Sequence, residues 1–101
     1  MGPQAERNFT EVRVQKVFLG TRSWDLDVGV TDTSFEIVQV KQAMVRAGRQ
    51  VILLAHSSKW GHVSFAKVAP LSALHTIITD RRLPRDAQTA IERLGIHLIV
   101  V

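Results

Sequence analysis

The sequence contains no cysteine and no tyrosine, and its 101 residues include only three prolines and six glycines. Without cysteine, a disulfide framework, a thiolate-rich zinc site and a cysteine nucleophile are excluded. The low proline and glycine content, together with 46% hydrophobic residues, excludes a disordered or collagen-like chain. The longest apolar runs are about five residues, whereas a membrane-spanning helix needs about 20. We therefore expect a cytoplasmic globular protein with no membrane partner.

The charge balance is basic but diffuse. Thirteen Lys and Arg residues against nine Asp and Glu residues give a net charge of +4, and the sequence pI is about 10.4. Because no Cys or Tyr titrates between neutral pH and the lysine range, a small basic excess is enough to raise the pI this far. The basic residues form no polybasic stripe of the kind that binds a phosphate backbone. The pI alone therefore does not indicate a nucleic-acid-binding domain.

Short apolar runs alternate with helical patterns along the chain. Runs rich in β-branched residues predict four buried strands, at residues 12–19, 50–55, 76–79 and 97–101. Two helices are predicted between them, and a short helical turn over residues 70–74. This alternation predicts an α/β fold, a Rossmann-like parallel sheet with flanking helices.

The helix limits follow from local signals. Thr33 and Glu36 match a capping box at the start of the first helix, and Gly48 is placed to end it. Pro84 predicts the start of the second helix, with Gly95 after its end. The predicted inward faces are the apolar residues at helical spacing, namely Ile37, Val40, Met44 and Ala47 in the first helix and Ala87, Ala90, Ile91 and Leu94 in the second.

Polar side chains follow the predicted strands. In open α/β sheets, ligands bind just beyond the carboxyl ends of the strands. Hydroxyl groups, cationic side chains and a helix N-terminus are suited to a small anion such as a phosphate or a carboxylate. The residues of this kind at the predicted strand ends and before the first helix, which we take as candidate ligand-binding residues, are Gly20, Thr21, Arg22, Thr31, His56, Ser57, Ser58 and Lys59.

Each candidate also has a purely structural interpretation. Ser57 and Ser58 can be turn residues that satisfy local backbone groups, and Lys59 can be a solvated charge. The histidines have no Cys or acidic partners at metal-ligand spacing. No P-loop, dinucleotide fingerprint or Gly-x-Ser-x-Gly elbow occurs. We therefore predict no metal site, no cofactor and no catalytic residue.

Five segments occur in an order and spacing typical of one family: residues 16–20 (KVFLG), 29–31 (GVT), 40–44 (VKQAM), 51–61 (VILLAHSSKWG) and 77–80 (IITD). Together they resemble the C-terminal sensor domain of DeoR-family bacterial transcriptional regulators, over essentially the whole chain. The resemblance implies the fold of ribose-5-phosphate isomerase, glucosamine-6-phosphate deaminase and the CoA transferases. It also implies that residues 1–101 are the C-terminal portion of a sensor for a phosphorylated sugar, with the operator-binding winged helix-turn-helix outside this chain.

The resemblance also assigns site residues. Gly20 and Thr21 match the family's glycine turn, Thr31 matches its Gly-x-Thr segment, and Lys59 matches the lysine of its Ser-Ser-Lys signature. These matches support the candidate site at the strand ends.

Three positions depart from the family pattern, one of them Ile37, which aligns with the family glutamate of the first helix and leaves Glu36 one place away. His56 stands where the family usually has Asp, and Arg22 stands where related enzymes carry an acid. An aldose–ketose isomerase needs acidic groups for proton transfer between carbons. Their replacement favours binding over turnover and makes the pocket more basic than the family pattern.

We therefore expect the effector-sensing and oligomerisation part of a DeoR-family repressor of sugar catabolism genes, and not an enzyme. Its ligand would be a phosphorylated sugar or a similar small anion, and operator DNA would be bound only by the N-terminal domain. A chain that is only part of a sensor domain leaves some of its sheet uncovered, and the exposed face or edge favours association. We therefore predict a homo-oligomer. The alternatives are a diverged sugar-phosphate isomerase or deaminase fragment, and a domain that binds nucleic acid itself.

Overall fold

The computed structural model describes residues 14–101. Within that range, the strands are β1 (Val14–Gly20), β2 (Ser23–Asp25), β3 (Gly29–Asp32), β4 (Gly48–Leu54), β5 (Ala66–Ala69), β6 (Thr76–Thr79) and β7 (His97–Val100). The helices are α1 (Phe35–Ala47) and α2 (Arg85–Arg93), and two 3₁₀ turns cover Ser57–Lys59 and Leu71–Ala73.

Four strands form the predicted parallel sheet, in the order β1-β4-β6-β7. The prediction of an α/β fold with a parallel sheet and flanking helices is confirmed. Successive side chains in a strand point to opposite faces, and on one face Leu19, Leu53 and Ile77 are fully buried in the core. Val12, where the first strand is predicted to begin, lies outside the described residues.

A second sheet contains β2, β3 and β5 in antiparallel pairing. The sequence pattern predicts four strands in one parallel sheet and no second sheet, so this sheet is a correction. Two of its strands have only three and four residues, which is too short for an alternating pattern to be visible. The sheet positions the segments that leave the carboxyl ends of β1 and β4.

The start of α1 differs from the prediction by one residue. Ser34 is the N-cap, and its Oγ accepts a hydrogen bond from the main-chain N–H of Ile37 at 3.3 Å. The predicted capping box of Thr33 and Glu36 is therefore wrong, because Glu36 lies at the second helical position, too early to reach back to the cap. The Thr33 N–H instead donates to Asp32 Oδ1 at 2.7 Å.

The end of α1 leads directly into β4 at Gly48. A Cβ at Gly48 would lie 2.6 Å from Val17 Cγ2, so glycine permits the close approach of β4 to β1 at this point. The predicted termination of the helix at Gly48 is confirmed.

The buried faces of the helices differ in part from those predicted. In α1 the buried residues are Val38, Ala43 and Ala47, because the helix packs against strands of both sheets and presents a different side to them. In α2 Ala87 and Ile91 are buried as predicted, whereas Leu94 at the C-cap is exposed. Among residues 14–101, neither helix is long and apolar enough to cross a membrane.

Candidate functional site

The carboxyl ends of β1 and β4 lie side by side. Gly20 pairs with Leu54 in the parallel register, so the chain leaves both strands at the same edge of the sheet. Trp24 Nε1 then donates to the carbonyl oxygen of His56 at 3.0 Å. The structure thereby brings together the two segments that carry most of the predicted site residues.

Trp24 is the centre of this connection. Its side chain is fully buried, its carbonyl oxygen accepts the N–H of Gly61 at 2.8 Å, and its ring meets that of Trp60 edge-on with centroids 4.8 Å apart. Both tryptophans pack against the protein, and Trp24 fixes both ends of the loop that follows β4. This role is not visible in the sequence pattern, since Trp24 and His56 lie 32 positions apart.

The turn Ser57–Lys59 is fixed from the neighbouring strand by Asp80. One carboxylate oxygen of Asp80 accepts the Ser57 N–H at 2.9 Å, and the other accepts the Ser57 hydroxyl at 2.6 Å and the Arg82 N–H at 3.0 Å. The hydrogen bonds from the Ser57 hydroxyl and N–H hold the pKa of Asp80 well below its usual range, helped by the Arg82 N–H and against the effect of desolvation. The Ser57 hydroxyl proton is thus committed to Asp80.

His56 caps the same turn. Its Nδ1 accepts the main-chain N–H of Ser58 at 3.1 Å and lies 2.8 Å from the Ser58 hydroxyl. The same nitrogen is 3.7 Å from Asp80 Oδ2. A cap of this kind requires an unprotonated Nδ1, because an imidazolium has no acceptor nitrogen. His56 therefore performs the capping that an Asp side chain performs well at the start of a helix.

Two cations on these segments remain accessible. The Lys59 side chain is exposed, and its Nζ has no hydrogen-bond or ion-pair partner among residues 14–101. Arg22 is 72% exposed and its Nε lies 4.0 Å from Asp32 Oδ1, so solvent screens this weak ion pair. Both groups are free to contact an anion from solvent.

Thr21 and Thr31 are engaged in the fold. Thr31 is buried, and its Oγ1 lies 2.6 Å from Ser23 Oγ and accepts the Ser64 N–H at 2.9 Å. Thr21 Oγ1 lies within hydrogen-bond distance of two carbonyl oxygens, those of Ser23 at 2.8 Å and Thr31 at 3.0 Å. These hydroxyls join β2, β3 and the loop after β4, and so position the exposed cations.

A buried ion pair supports the end of β1. Lys41 Nζ donates to Asp32 Oδ2 at 2.7 Å and to the Gly20 carbonyl oxygen at 2.8 Å. Asp32 is 2% exposed. Burial opposes its ionisation, yet hydrogen bonds from Lys41 and the Thr33 N–H, with the nearby positive charges, keep its pKa below the usual value. The sequence offers no signal for this pair, because Asp32 lies on a strand and Lys41 on a helix.

Among residues 14–101, no three His, Asp or Glu side chains are arranged to hold a metal ion. The polar groups of the site are therefore its hydroxyls, the carboxylates of Asp32 and Asp80, and the cations Arg22 and Lys59. Such a set of side chains is able to bind an anion through charge and hydrogen bonds.

The family model described as the DeoR C-terminal sensor domain matches residues 1–81. The chain belongs to this family. The resemblance drawn from the sequence motifs is therefore confirmed, and the parallel sheet with its two helices is consistent with a Rossmann-like DeoR sensor domain.

Relatives of this DeoR sensor domain are transcriptional regulators. It is 35% identical over its full length to an uncharacterized HTH-type transcriptional regulator of Haemophilus influenzae, covering 39% of that protein. It is 32% identical over 98% of the chain to the HTH-type transcriptional regulator GlpR of Haloferax volcanii, again covering 39%. It is 40% identical over 71% of the chain to the transcriptional repressor GlcR of Bacillus subtilis, covering 28%. The chain thus spans about two fifths of the length of its first relatives.

Proposed function

We propose that this chain is the effector-sensing and self-association part of a cytoplasmic DeoR-type regulator that responds to a phosphorylated sugar. Membership of the DeoR sensor family supports a regulatory role. The observation that carries the proposal is the Lys59 ammonium group, which is exposed and has no partner within residues 14–101, on a turn fixed by Asp80 and His56. A cation held at the carboxyl end of a parallel strand is suited to a phosphate group.

Arg22 is the further contact proposed for the ligand, whereas the Ser58 hydroxyl donates its proton to the unprotonated Nδ1 of His56. Arg22 leaves the end of β1, next to the end of β4 that carries the turn. Gly20, Thr21, Thr31 and Ser57 hold these groups in place, since their polar atoms already bond to the protein. The protein would therefore offer a prearranged site whose exposed groups are mainly cationic.

Binding without turnover is the mechanism that the carboxylates support. Asp32 and Asp80 both have a lowered pKa and both already accept hydrogen bonds. A general base for proton transfer between carbons works best with a pKa near the working pH, so neither carboxylate is suited to isomerase chemistry. Sensing would instead proceed by a shift between two arrangements of the domain, of which the ligand binds one more tightly.

The ligand is tested by isothermal titration calorimetry of this chain with ribose 5-phosphate and with ribose. We expect saturable binding of the phosphorylated sugar only, and a loss of about tenfold or more in affinity in Lys59→Ala, the range for removing a charged hydrogen-bond donor. Lys67→Ala, which removes an exposed lysine of β5, is the matched control. Equal affinities of the wild type and Lys59→Ala would refute the site.

Self-association is supported by the sheet face opposite the buried core residues. Phe18 and Leu54 lie on that face and are 56% and 46% exposed. Apolar groups in adjacent strands favour burial against another surface. We expect light scattering at micromolar concentration to show a dimer or a higher oligomer, and Phe18→Lys to shift it towards monomer. A wild-type monomer under these conditions contradicts this part of the proposal.

A further inference from the structure

His75 lies at the amino end of the parallel sheet, directly before β6 begins. Its imidazole Nδ1 accepts the main-chain N–H of Val51 on β4 at 2.9 Å. Its own main-chain N–H donates to the Val51 carbonyl oxygen at 2.9 Å, and its carbonyl oxygen accepts the N–H of His97 on β7 at 3.0 Å. Hydrogen bonds of this one residue therefore join β4, β6 and β7 where their pairing begins.

The bond between the Val51 N–H and the His75 ring exists in only one protonation state. Val51 is 1% exposed, and a buried main-chain N–H group needs an acceptor. The regular pairing of β4 with β6 starts one residue later, at Ile52 and Thr76, so a side chain supplies the acceptor here. An imidazolium has no acceptor nitrogen. The contact therefore requires a neutral His75 whose proton is on Nε2.

The surroundings of His75 disfavour its protonated form. Among residues 14–101, no carboxylate oxygen lies within 4.0 Å of a ring nitrogen of His75. The charged or titratable residues on the adjoining strands are Arg49 on β4 and His97 on β7, while β6 and the turn Leu71–Ala73 have none. Both of these side chains are cationic in acid. Protonation of His75 therefore breaks a hydrogen bond, and the residues around it offer no ion pair in exchange.

We propose that His75 is a pH-sensitive switch that joins β4 to β6 when neutral and releases the amino end of their pairing when protonated. Histidine is the side chain that ordinarily changes charge between about pH 5 and 8, and His75 is exposed, so solvent supplies the proton. The bond to Val51 stabilises the fold at the upper end of this range and is lost as the pH falls. The candidate ligand site lies at the opposite, carboxyl end of the strands, so the switch does not depend on the proposed sugar ligand.

The two ends of β4 should respond differently to acid. A buried N–H without an acceptor is unfavourable, so the pairing of β4 with β6 opens first at Val51. Towards the other end of β4, the Ala55 N–H donates to the Ile78 carbonyl oxygen at 3.0 Å, and neither group of this bond titrates. Because α1 runs into β4 at Gly48, loosening at Val51 acts on the junction of this helix with the sheet and leaves the carboxyl end in place.

The test is amide hydrogen exchange of this chain, followed by NMR at pH 8.0 and pH 5.5 and corrected for the intrinsic exchange rate at each pH. The protection factor of the Val51 amide should fall by about fivefold or more in acid, as expected for the loss of one hydrogen bond, and that of Ala55 by less than about twofold. Long-range proton–nitrogen correlation spectra of the imidazole at pH 8.0 should show the His75 proton on Nε2.

His75→Asn and His97→Asn form a matched pair of variants. The side-chain oxygen of asparagine is able to take the place of Nδ1 as an acceptor that does not titrate, so His75→Asn should abolish the pH dependence of Val51 protection. His97 is exposed, and its ring has no hydrogen-bond partner within residues 14–101. His97→Asn should therefore leave the pH dependence as it is in the wild type.

Four results would overturn the proposal. Three of them are a His75 proton on Nδ1 at pH 8.0, equal protection of Val51 at both pH values, and an unchanged pH dependence in His75→Asn. The fourth is an equal loss of protection at Val51 and Ala55, because the sheet would then open as a whole and not at its amino end. All but the third are measured on the wild type and stand even if His75→Asn does not fold.

Discussion

Asp80 holds Ser57 by two hydrogen bonds, one from the main-chain N–H at 2.9 Å and one from the hydroxyl at 2.6 Å. This contact joins the residue after β6 to the first residue of the turn after β4. It has two consequences: the turn is fixed, and the carboxylate is kept ionised. The position of the Ser57–Lys59 turn in the candidate binding site therefore depends on Asp80.

Asp80→Asn should loosen the turn without unfolding the sheet. The amide can accept from Ser57 through one oxygen only, so at least one of the present hydrogen bonds is lost. We expect faster amide hydrogen exchange at Ser57 and Arg82 and a lower melting temperature. Asp27→Asn, at an exposed residue between β2 and β3, is the control and should change neither. Unaltered exchange at Ser57 would show that Asp80 does not anchor the turn.

The same variant predicts a pH dependence of stability. Because the pKa of Asp80 in the folded protein is lowered, its carboxylate stabilises the fold at pH values above the unfolded pKa of about 3.9, and this contribution is lost as the pH falls towards the folded pKa. The difference in unfolding free energy between the wild type and Asp80→Asn should be constant from pH 7 to about 5 and shrink below about 4. Urea unfolding across this range measures it, and a difference that grows in acid contradicts the assignment.

Lys41→Met should be among the more destabilising single substitutions of a partly exposed residue. It leaves the buried Asp32 carboxylate without the ammonium group 2.7 Å away and removes a donor from the Gly20 carbonyl oxygen. Breaking a buried pair from one side costs about 3 kcal/mol. The cost should fall in the double variant Asp32→Asn/Lys41→Met, and Lys67→Met should cost little. Urea unfolding of the wild type, the single variants Asp32→Asn and Lys41→Met and the double variant gives the coupling, and additive effects would exclude the pair as a stabilising unit.

The parallel sheet was predictable because its strands are short runs of β-branched residues, as in 76–79, separated by helical patterns. The antiparallel sheet was not, since β2 and β3 are too short to show a period and their pairing depends on contacts with β5. The turn at residues 57–59 was expected from its position at a strand end. The role of Asp80 was not, because 23 residues separate it from Ser57 and only the register of β4 on β6 brings them together.

Thr79→Val should stabilise the protein. Thr79 is buried at the end of β6, and its Oγ1 has no hydrogen-bond partner within residues 14–101. Valine has nearly the same shape and removes a desolvated hydroxyl, which in protein cores costs about 1–3 kcal/mol when unpaired. We expect a gain of about 1 kcal/mol in the free energy of unfolding. Thr76→Val, at the half-buried start of the same strand, serves as the control, and a loss of stability in Thr79→Val would indicate a partner for this hydroxyl.

Gly29→Ala and Gly95→Ala separate backbone strain from steric clash. Both glycines have a positive φ, +97° and +83°. Each alanine should therefore lower the free energy of unfolding by about 1 kcal/mol, because alanine disfavours the left-handed conformation. At Gly95 no atom lies within 4 Å of the added Cβ, whereas at Gly29 it would lie 2.3 Å from the Ala69 carbonyl oxygen.

The Gly29 variant must therefore also move β5 away from β3, at a further cost of about 1–3 kcal/mol. Because β3 pairs with β2, which carries Trp24, the displacement should change the tryptophan fluorescence of the folded protein in Gly29→Ala alone. Chemical denaturation and emission spectra of the two variants measure both effects. Equal losses of stability with unchanged spectra would mean that β3 and β5 can separate without disturbing Trp24, and that the small sheet does not fix the loop after β4.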